Sequence, residues 1–468
     1  MNLHTVESES VQSAALAEQF HFDFLPHSPI VVQRQRGQLT SDAGLLVVRQ
    51  FDQRWNYSAR LAACLVDRRV DPDHSHLSML RQRLYGVLAD YEDCNDHDTL
   101  RHEPVFKLIA DRAINGDPLA AQPTLSRFEN SVTVSELNKM IDFLADTGIE
   151  HLKRKHHGAM PERITLDFDP TDDPTHGNQQ LSLFHGYYEQ YQYFPMIVSE
   201  PTTKHLLLAR LRHGTAHAAL GADDDLRELA AKLREQRSDM AIHVRGDPRG
   251  AGFGVPWFID ACESLESTTY TLGFACNARI DVLAAPLLTR AIEEYKSTGH
   301  KARLFAHFSY QAESWKAPRT IVVKAECHAG GTNVRCVVTN LPVHDDAQAQ
   351  QVYDHYIQRG ESEHRMNELK NALHAAPGTR LSCHRLKANF FRLLLHTAAY
   401  NLLNALRNHE DVPVELRVAQ PQTWRSRIIK VAAILTQTTR RVVVSLTAWW
   451  PHWSLLRTTA ARASLSTA

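Results

Sequence analysis

The chain of 468 residues has room for two or three domains and a sizeable core. Its 52 Lys and Arg are balanced by 53 Asp and Glu, so overall charge does not supply the basic footprint usual for a nucleic-acid-binding domain. Seven scattered cysteines without a C-x-x-C pair argue against a zinc knuckle or a disulfide framework and point to a reducing cytosol.

The polar, acidic opening MNLHTVESESVQ does not read as a signal peptide. Residues 1–36 read as an extended lead-in. Residues 37–158 read as a helical N-terminal domain. TSDAGLLVVRQFDQRW starts on Ser and Asp capping signals, and Leu77, Leu80, Leu84 and Val87 recur at helical steps. TLSRFENSVTVSELNKMIDFLADTG holds one or two more helices and ends at Gly148, before the basic linker HLKRKHHGAMPE.

The period then changes to that of strands. In RITLDFDP, Ile164, Leu166 and Phe168 alternate with Thr165, Asp167 and Asp169. EQYQYFPMIVS, HLLLARLRHG and MAIHVRGDP read as further strands, with DDDLRELAAKLREQRS as a helix between the last two. YTLGFAC, ARLFAHFSY, TIVVKAEC and NVRCVVTNL make a β-rich insertion at about residues 250–345, inside an α/β region of residues 159–415. YDHYIQRGESEHRMNELK then reads as a charged helix. NFFRLLLHTAAYNLLNAL carries Arg392 and His396, so it reads as an amphipathic or buried helix rather than a membrane span. The basic segment 416–468 contains no Asp or Glu.

Three carboxylates stand out. Asp169 and Asp247 each end a strand before a proline, and ligand sites in open α/β sheets collect at the carboxyl ends of strands. Glu363 lies on the charged helix. Offsets of three, seven and fourteen place Tyr356, Arg359, Glu363 and Lys370 within roughly 60° of helical arc. Met366, Leu369 and Leu373 line the neighbouring edge. A cluster of three carboxylates requires cations, and hard divalent ions with oxygen ligands meet that need. The plain alternative makes each aspartate a turn residue and Arg359–Glu363 an exposed i,i+4 pair.

Tyr356, Arg359, Glu363 and Lys370 form a Y-x2-R-x3-E-x6-K signature. With Asp169-Pro170-Thr171 and Arg245-Gly246-Asp247, the chain resembles DDE transposases of bacterial insertion sequences over about Leu39 to Arg407. Asp167 competes with Asp169 as the first carboxylate. The segment PRGAGFGVPW departs from the short S-G-F-like turn of related sequences.

The resemblance implies an α/β fold with a ribonuclease H-like catalytic core, a β-rich insertion and a helical DNA-binding domain before it. It implies Asp169, Asp247 and Glu363 as catalytic metal ligands for Mg²⁺, with Mn²⁺ as the alternative. The implied partner is double-stranded DNA, as inverted-repeat ends and target, bound by a homodimer in the bacterial cytoplasm at the nucleoid. Tyr356 would contact a phosphate or stack on an unpaired base, and Arg359 and Lys370 would hold phosphates. Arg81 and Arg83, with Arg68, Arg69 and Arg101, are expected on DNA from the helical region, and Arg425 and Arg427 from the basic tail. The competing readings are a metal nuclease of the same fold without strand transfer, and a DNA-binding protein that has lost catalysis.

Overall fold

The computed structural model describes residues 19–22, 30–33, 37–247, 252–372, 381–410 and 412–463. Leu373 and the segment Pro248 to Ala251 lie outside them.

The fold is mixed α/β around an eight-stranded sheet. In chain order its strands are β1 (Arg163–Pro170), β2 (Met196–Glu200), β3 (His205–Arg210), β4 (Ala241–Gly246), β5 (Thr268–Phe274), β6 (Ala302–Tyr310), β7 (Arg319–His328) and β8 (Gly331–Thr339). Across the sheet they run β6-β7-β8-β5-β4-β1-β2-β3. β1, β4 and β5 are parallel neighbours, and every other pairing is antiparallel. β1 is buried on both faces from Leu166 to Pro170, so the face carrying Asp167 and Asp169 is covered as fully as the apolar one.

The helical N-terminal region contains α1 (Leu45–Trp55), α2 (His76–Leu88), α3 (Gln122–Ser131) and α4 (Val134–Lys155). A capping box starts α4: Thr133 accepts from the Glu136 amide, and Glu136 accepts from the Thr133 amide. α4 does not end at Gly148 as expected but continues through the basic residues to Lys155. The glycine serves packing instead, because a Cβ there would lie 2.3 Å from Cδ2 of Leu207 on β3. Further along come α5 (Ala222–Gln236), a short helix at Pro256–Ser264 and α6 (Ala278–Thr298). α6 was not anticipated. Asn277 caps it and Ile280, Ala284, Leu287 and Ala291 form its buried stripe, but Pro286 in its middle masks the pattern.

The charged stretch expected as one helix is broken. α7 (Asp346–Ile357) stops at Gln358, α8 (Gly360–Asn367) follows, and Glu368–Ala372 closes as a π-turn. Then comes α9 (Leu386–Arg407), buried along nearly its whole length. It packs on β3 and on α2, α3 and α4, and joins sheet and N-terminal helices in one continuous apolar core. Its polar residues have work inside. β3 is an edge strand, and Asn401 accepts from the Leu206 amide at 3.0 Å and donates to the Leu206 carbonyl at 2.8 Å. Among the described residues no helix is long and apolar enough to cross a membrane.

The C-terminal segment folds back on the start of the chain. Ala433–Gln437 pairs with Val442–Leu446 on one side and with Gln38–Thr40 on the other. The amides of Ala43 and Gly44, at the start of α1, donate to the carbonyls of Val431 and Ile429. A last helix, α10 (Trp453–Ala463), packs against α1.

Where α2, α3 and α9 meet, Glu129 is fully buried. It accepts from Arg83 Nε at 2.8 Å and from Arg392 Nε at 2.7 Å. Burial works against its charge, but the two guanidiniums hold its carboxyl below the ordinary glutamate range. Such a group stabilises the fold above its unfolded pKa of about 4.3, and that stability is lost as pH falls through the lower folded value. Glu129→Ala leaves two buried cations without their acid, so a loss of about 3–5 kcal/mol is expected. Urea denaturation at neutral pH checks this, and a change below 1 kcal/mol would refute it. The acid-induced loss of stability should also be shallower in Glu129→Gln than in the parent.

Candidate active site

The carboxyl ends of β1 and β4 lie side by side. Their register pairs Asp167 with Arg245 and Phe168 with Gly246, so Asp169 and Asp247 come next on adjacent strands. Both aspartates are buried. Gly246 permits this ending, because a Cβ there would come within 2.6 Å of the Phe253 ring.

Between α7 and α8, Arg359 turns inward and reaches three acids. Its Nη1 lies 3.5 Å from Asp169, and its Nη2 lies 3.6 Å from both Asp247 and Glu363. The Arg359 side chain is 9% exposed, so the Arg359–Glu363 contact is not the pair on a wet face considered above. Burial opposes the charge, but Asp169, Tyr356, Asp247 and Glu363 together raise the Arg359 pKa above its ordinary value. Glu363 is the outermost of the three acids, with its side chain 47% exposed.

Asp167 and Asp169 have different partners. Asp167 is fully buried and accepts from Arg245 at 2.6 and 2.9 Å and from Arg365 at 2.8 Å. Arg245 and Arg365 thus hold it, whereas Arg359, which contacts Asp169, also contacts Asp247 and Glu363. Sequence reasoning missed Arg245 and Arg365 as positioning residues. The signal was present: an aspartate on an inward-facing strand position requires a cation, and Arg245 stands opposite it on the neighbouring strand.

Lys370, on the π-turn, pairs with Asp172 at 3.0 Å. Gln190 donates to the other oxygen of Asp172 at 3.2 Å. Burial opposes the Asp172 charge, but Lys370 holds its carboxyl below the ordinary range. Met366 and Leu369 are buried, as the apolar edge predicts.

Four residues expected on DNA are engaged by the protein's own groups. Tyr356 is buried in a second small apolar cluster with Phe305, Val352 and Tyr353, and its hydroxyl donates to the Gly246 carbonyl at 3.2 Å. A ring so enclosed offers no face to a base. Arg83 is the buried partner of Glu129, and Arg81 is buried between Ser58 and Asp111. Arg425 is buried against Asp90 at 2.9 Å. Each of the three arginines pairs with an acid distant in sequence, buried for Arg83 and solvent-facing for Arg81 and Arg425. Arg68 and Arg69 pair with Glu136 and Asp67. Arg427 is exposed, as are Arg440, Arg441 and Arg457 of the same segment.

The carboxylates gathered around Arg359 offer oxygen donors, which is the chemistry of a hard divalent cation's site. As the side chains stand, Arg359 bridges the acids, and among the described residues no group of three His, Cys, Asp or Glu is arranged to hold a metal ion.

A comparison with curated proteins finds no match. The model of the family described as transposase DDE domain group 1 matches residues 22–467, which takes in the N-terminal helices, the sheet, the carboxylates around Arg359 and the C-terminal hairpin. On that span the chain belongs to the DDE transposase family.

Proposed function

We propose that the protein cleaves DNA at the inverted-repeat ends of an insertion sequence and joins those ends to target DNA. The observation that carries this reading is Arg359 lying within 3.6 Å of acids from two adjacent strand ends and a helix. The five-stranded part of the sheet, extended by an antiparallel block between β5 and α7, supports a ribonuclease H-like core with a β insertion.

DDE transposases normally use divalent metal ions. Asp169, Asp247 and Glu363 would hold them here, as Mg²⁺ or Mn²⁺, and bound ions would supply an activated water or 3′-hydroxyl and a stabilised leaving oxygen. The protein's own groups do the positioning. Arg245 and Arg365 fix Asp167, and with it the strand that presents Asp169. Arg359 can pass its charge from the carboxylates to a phosphate, in the planar two-point geometry that suits it. Lys370 and the exposed Arg427, Arg440 and Arg441 add phosphate contacts, with a homodimer holding both ends at the nucleoid.

Asp169→Asn, Asp247→Asn and Glu363→Gln should each abolish Mg²⁺-dependent cleavage and joining of DNA carrying the element's ends, with the fold intact. Asp167→Asn should instead lower thermal stability, since it uncovers two buried guanidiniums. Normal joining by Asp169→Asn would overturn the assignment. Cleavage without joining by the parent protein would select the nuclease reading.

A second test needs no DNA. If the carboxylates take up Mg²⁺, the ion should stabilise the folded protein by about 2.7 kcal/mol at roughly 100 times its Kd. The Asp169→Asn, Asp247→Asn double variant should lose that increment. Calorimetry with and without Mg²⁺ measures it, and an equal rise in both proteins would count against the site.

A further inference from the structure

The cysteines are scattered along the sequence, but the sheet brings two of them together. Cys276 follows β5 and stands directly before Asn277, the residue that caps α6. Cys336 lies within β8. β5 and β8 are antiparallel neighbours, and their register sets Phe274 opposite Cys336. Two residues beyond Phe274, Cys276 comes diagonally across from Cys336, the placement that lets side chains on one face of a strand pair meet. Their Sγ atoms lie 2.9 Å apart, and both cysteines are free thiols. A disulfide bond is about 2.03–2.05 Å long, so a movement of less than about 1 Å would close one here.

The two thiols are unlike each other. Cys336 is buried at 3% exposure, with its Sγ 3.1 Å from the Phe274 carbonyl oxygen. Cys276 is partly exposed, between the exposed Ala275 and Asn277. The contact from Cys336 holds the Cys276 thiol below its ordinary range although burial opposes this, and the same contact together with burial pushes Cys336 up. Burial pushes Cys64 and Cys94 up to about 11 and raises Cys262 and Cys383 as well. Cys276 therefore combines access to solvent with thiolate character, the two properties that make a cysteine reactive, and it has a second thiol beside it.

We propose that Cys276 and Cys336 form a reversible oxidation site, at which a peroxide joins the two thiols in a disulfide that ties the start of α6 to β8. The Cys276 thiolate attacks one peroxide oxygen and breaks the O–O bond, giving a sulfenic acid on Cys276 and hydroxide. The Cys336 sulfur then displaces hydroxide from the Cys276 sulfur, forming the S–S bond. Two thiols lose two electrons, the peroxide gains them, and with the two thiol protons it leaves as two waters. A dithiol reverses the step by thiol–disulfide exchange. The bond closes a covalent ring that contains all of α6, β6 and β7. The antiparallel extension of the sheet is then stapled at its root to β5, the neighbour of the strand that leads to Asp247. This site does not depend on the reading of the carboxylates.

The test uses the full chain, reduced, freed of reductant and treated with hydrogen peroxide. The parent protein should lose two of its seven thiols, and an unreduced digest should yield a peptide joining Cys276 to Cys336. Dithiothreitol should restore both thiols. The oxidised parent should melt about 2–4 °C above the reduced one, because the ring constrains the unfolded chain. Cys276→Ala, a change at a partly exposed position, should keep its remaining thiols at the same dose and show no such rise. Cys336→Ser keeps a donor for the Phe274 carbonyl and should stop at the Cys276 sulfenic acid, which dimedone captures. Retention of all seven thiols by the parent would overturn the proposal, as would a bond joining other cysteines or an equal loss of thiols in Cys276→Ala. Asp169→Asn should oxidise like the parent, which separates this site from the cleavage chemistry.

Discussion

The segment from Tyr356 to Lys370 is fastened to the sheet by charge. Asp167, Asp169 and Asp172 follow one another along the carboxyl end of β1. Arg365, Arg359 and Lys370, respectively, meet them from the segment that crosses over it. Arg245 adds a second cation to Asp167 and also donates to the His355 carbonyl at 2.9 Å. Two buried carboxylates on a strand face are tolerable only because these cations arrive, and the cations are held in place by the same acids. The geometry around Arg359 therefore depends on these matched charges more than on the helices that flank it.

A similar economy of polar groups organises the interior. α9 is surrounded on all sides, yet it carries asparagines and arginines. Asn401 completes the outer edge of β3. Asn404 donates to the Thr203 carbonyl at 2.8 Å, and Arg407 pairs with Glu368 at 3.0 Å. Arg392 closes the Glu129 network with the N-terminal helices. The helix links sheet and helical region through specific bonds as well as apolar contact, and this specificity fixes its rotation and register.

The strand pattern of Arg163–Pro170 and the acids at the ends of β1 and β4 were legible because both signals are local. So was the buried character of α9, since its polar residues argued against a lipid span. What could not be read was where charge goes. Arg83 sits on a helix rich in cations, and only the folded chain brings Glu129 to it. The break before α8 had a local hint in Gly360, but a continuous periodic reading from Tyr353 to Lys370 passed over it. The hairpin of Ala433–Gln437 and Val442–Leu446 carried the usual strand signals, β-branched residues around a polar turn, within a segment whose most conspicuous feature is its lack of acids.

That hairpin has a consequence for how the protein is made. Among the described residues, the amides that open α1 and the strand Gln38–Thr40 before it find their backbone partners in residues 429–435. At roughly 5–20 residues per second, a ribosome takes tens of seconds to deliver them after α1 emerges. Throughout that interval the first helix has an unfinished start and its strand an open edge. A message cut short before this point yields a chain whose beginning, and not only its end, is incomplete, so the earliest part of the protein is the last to close.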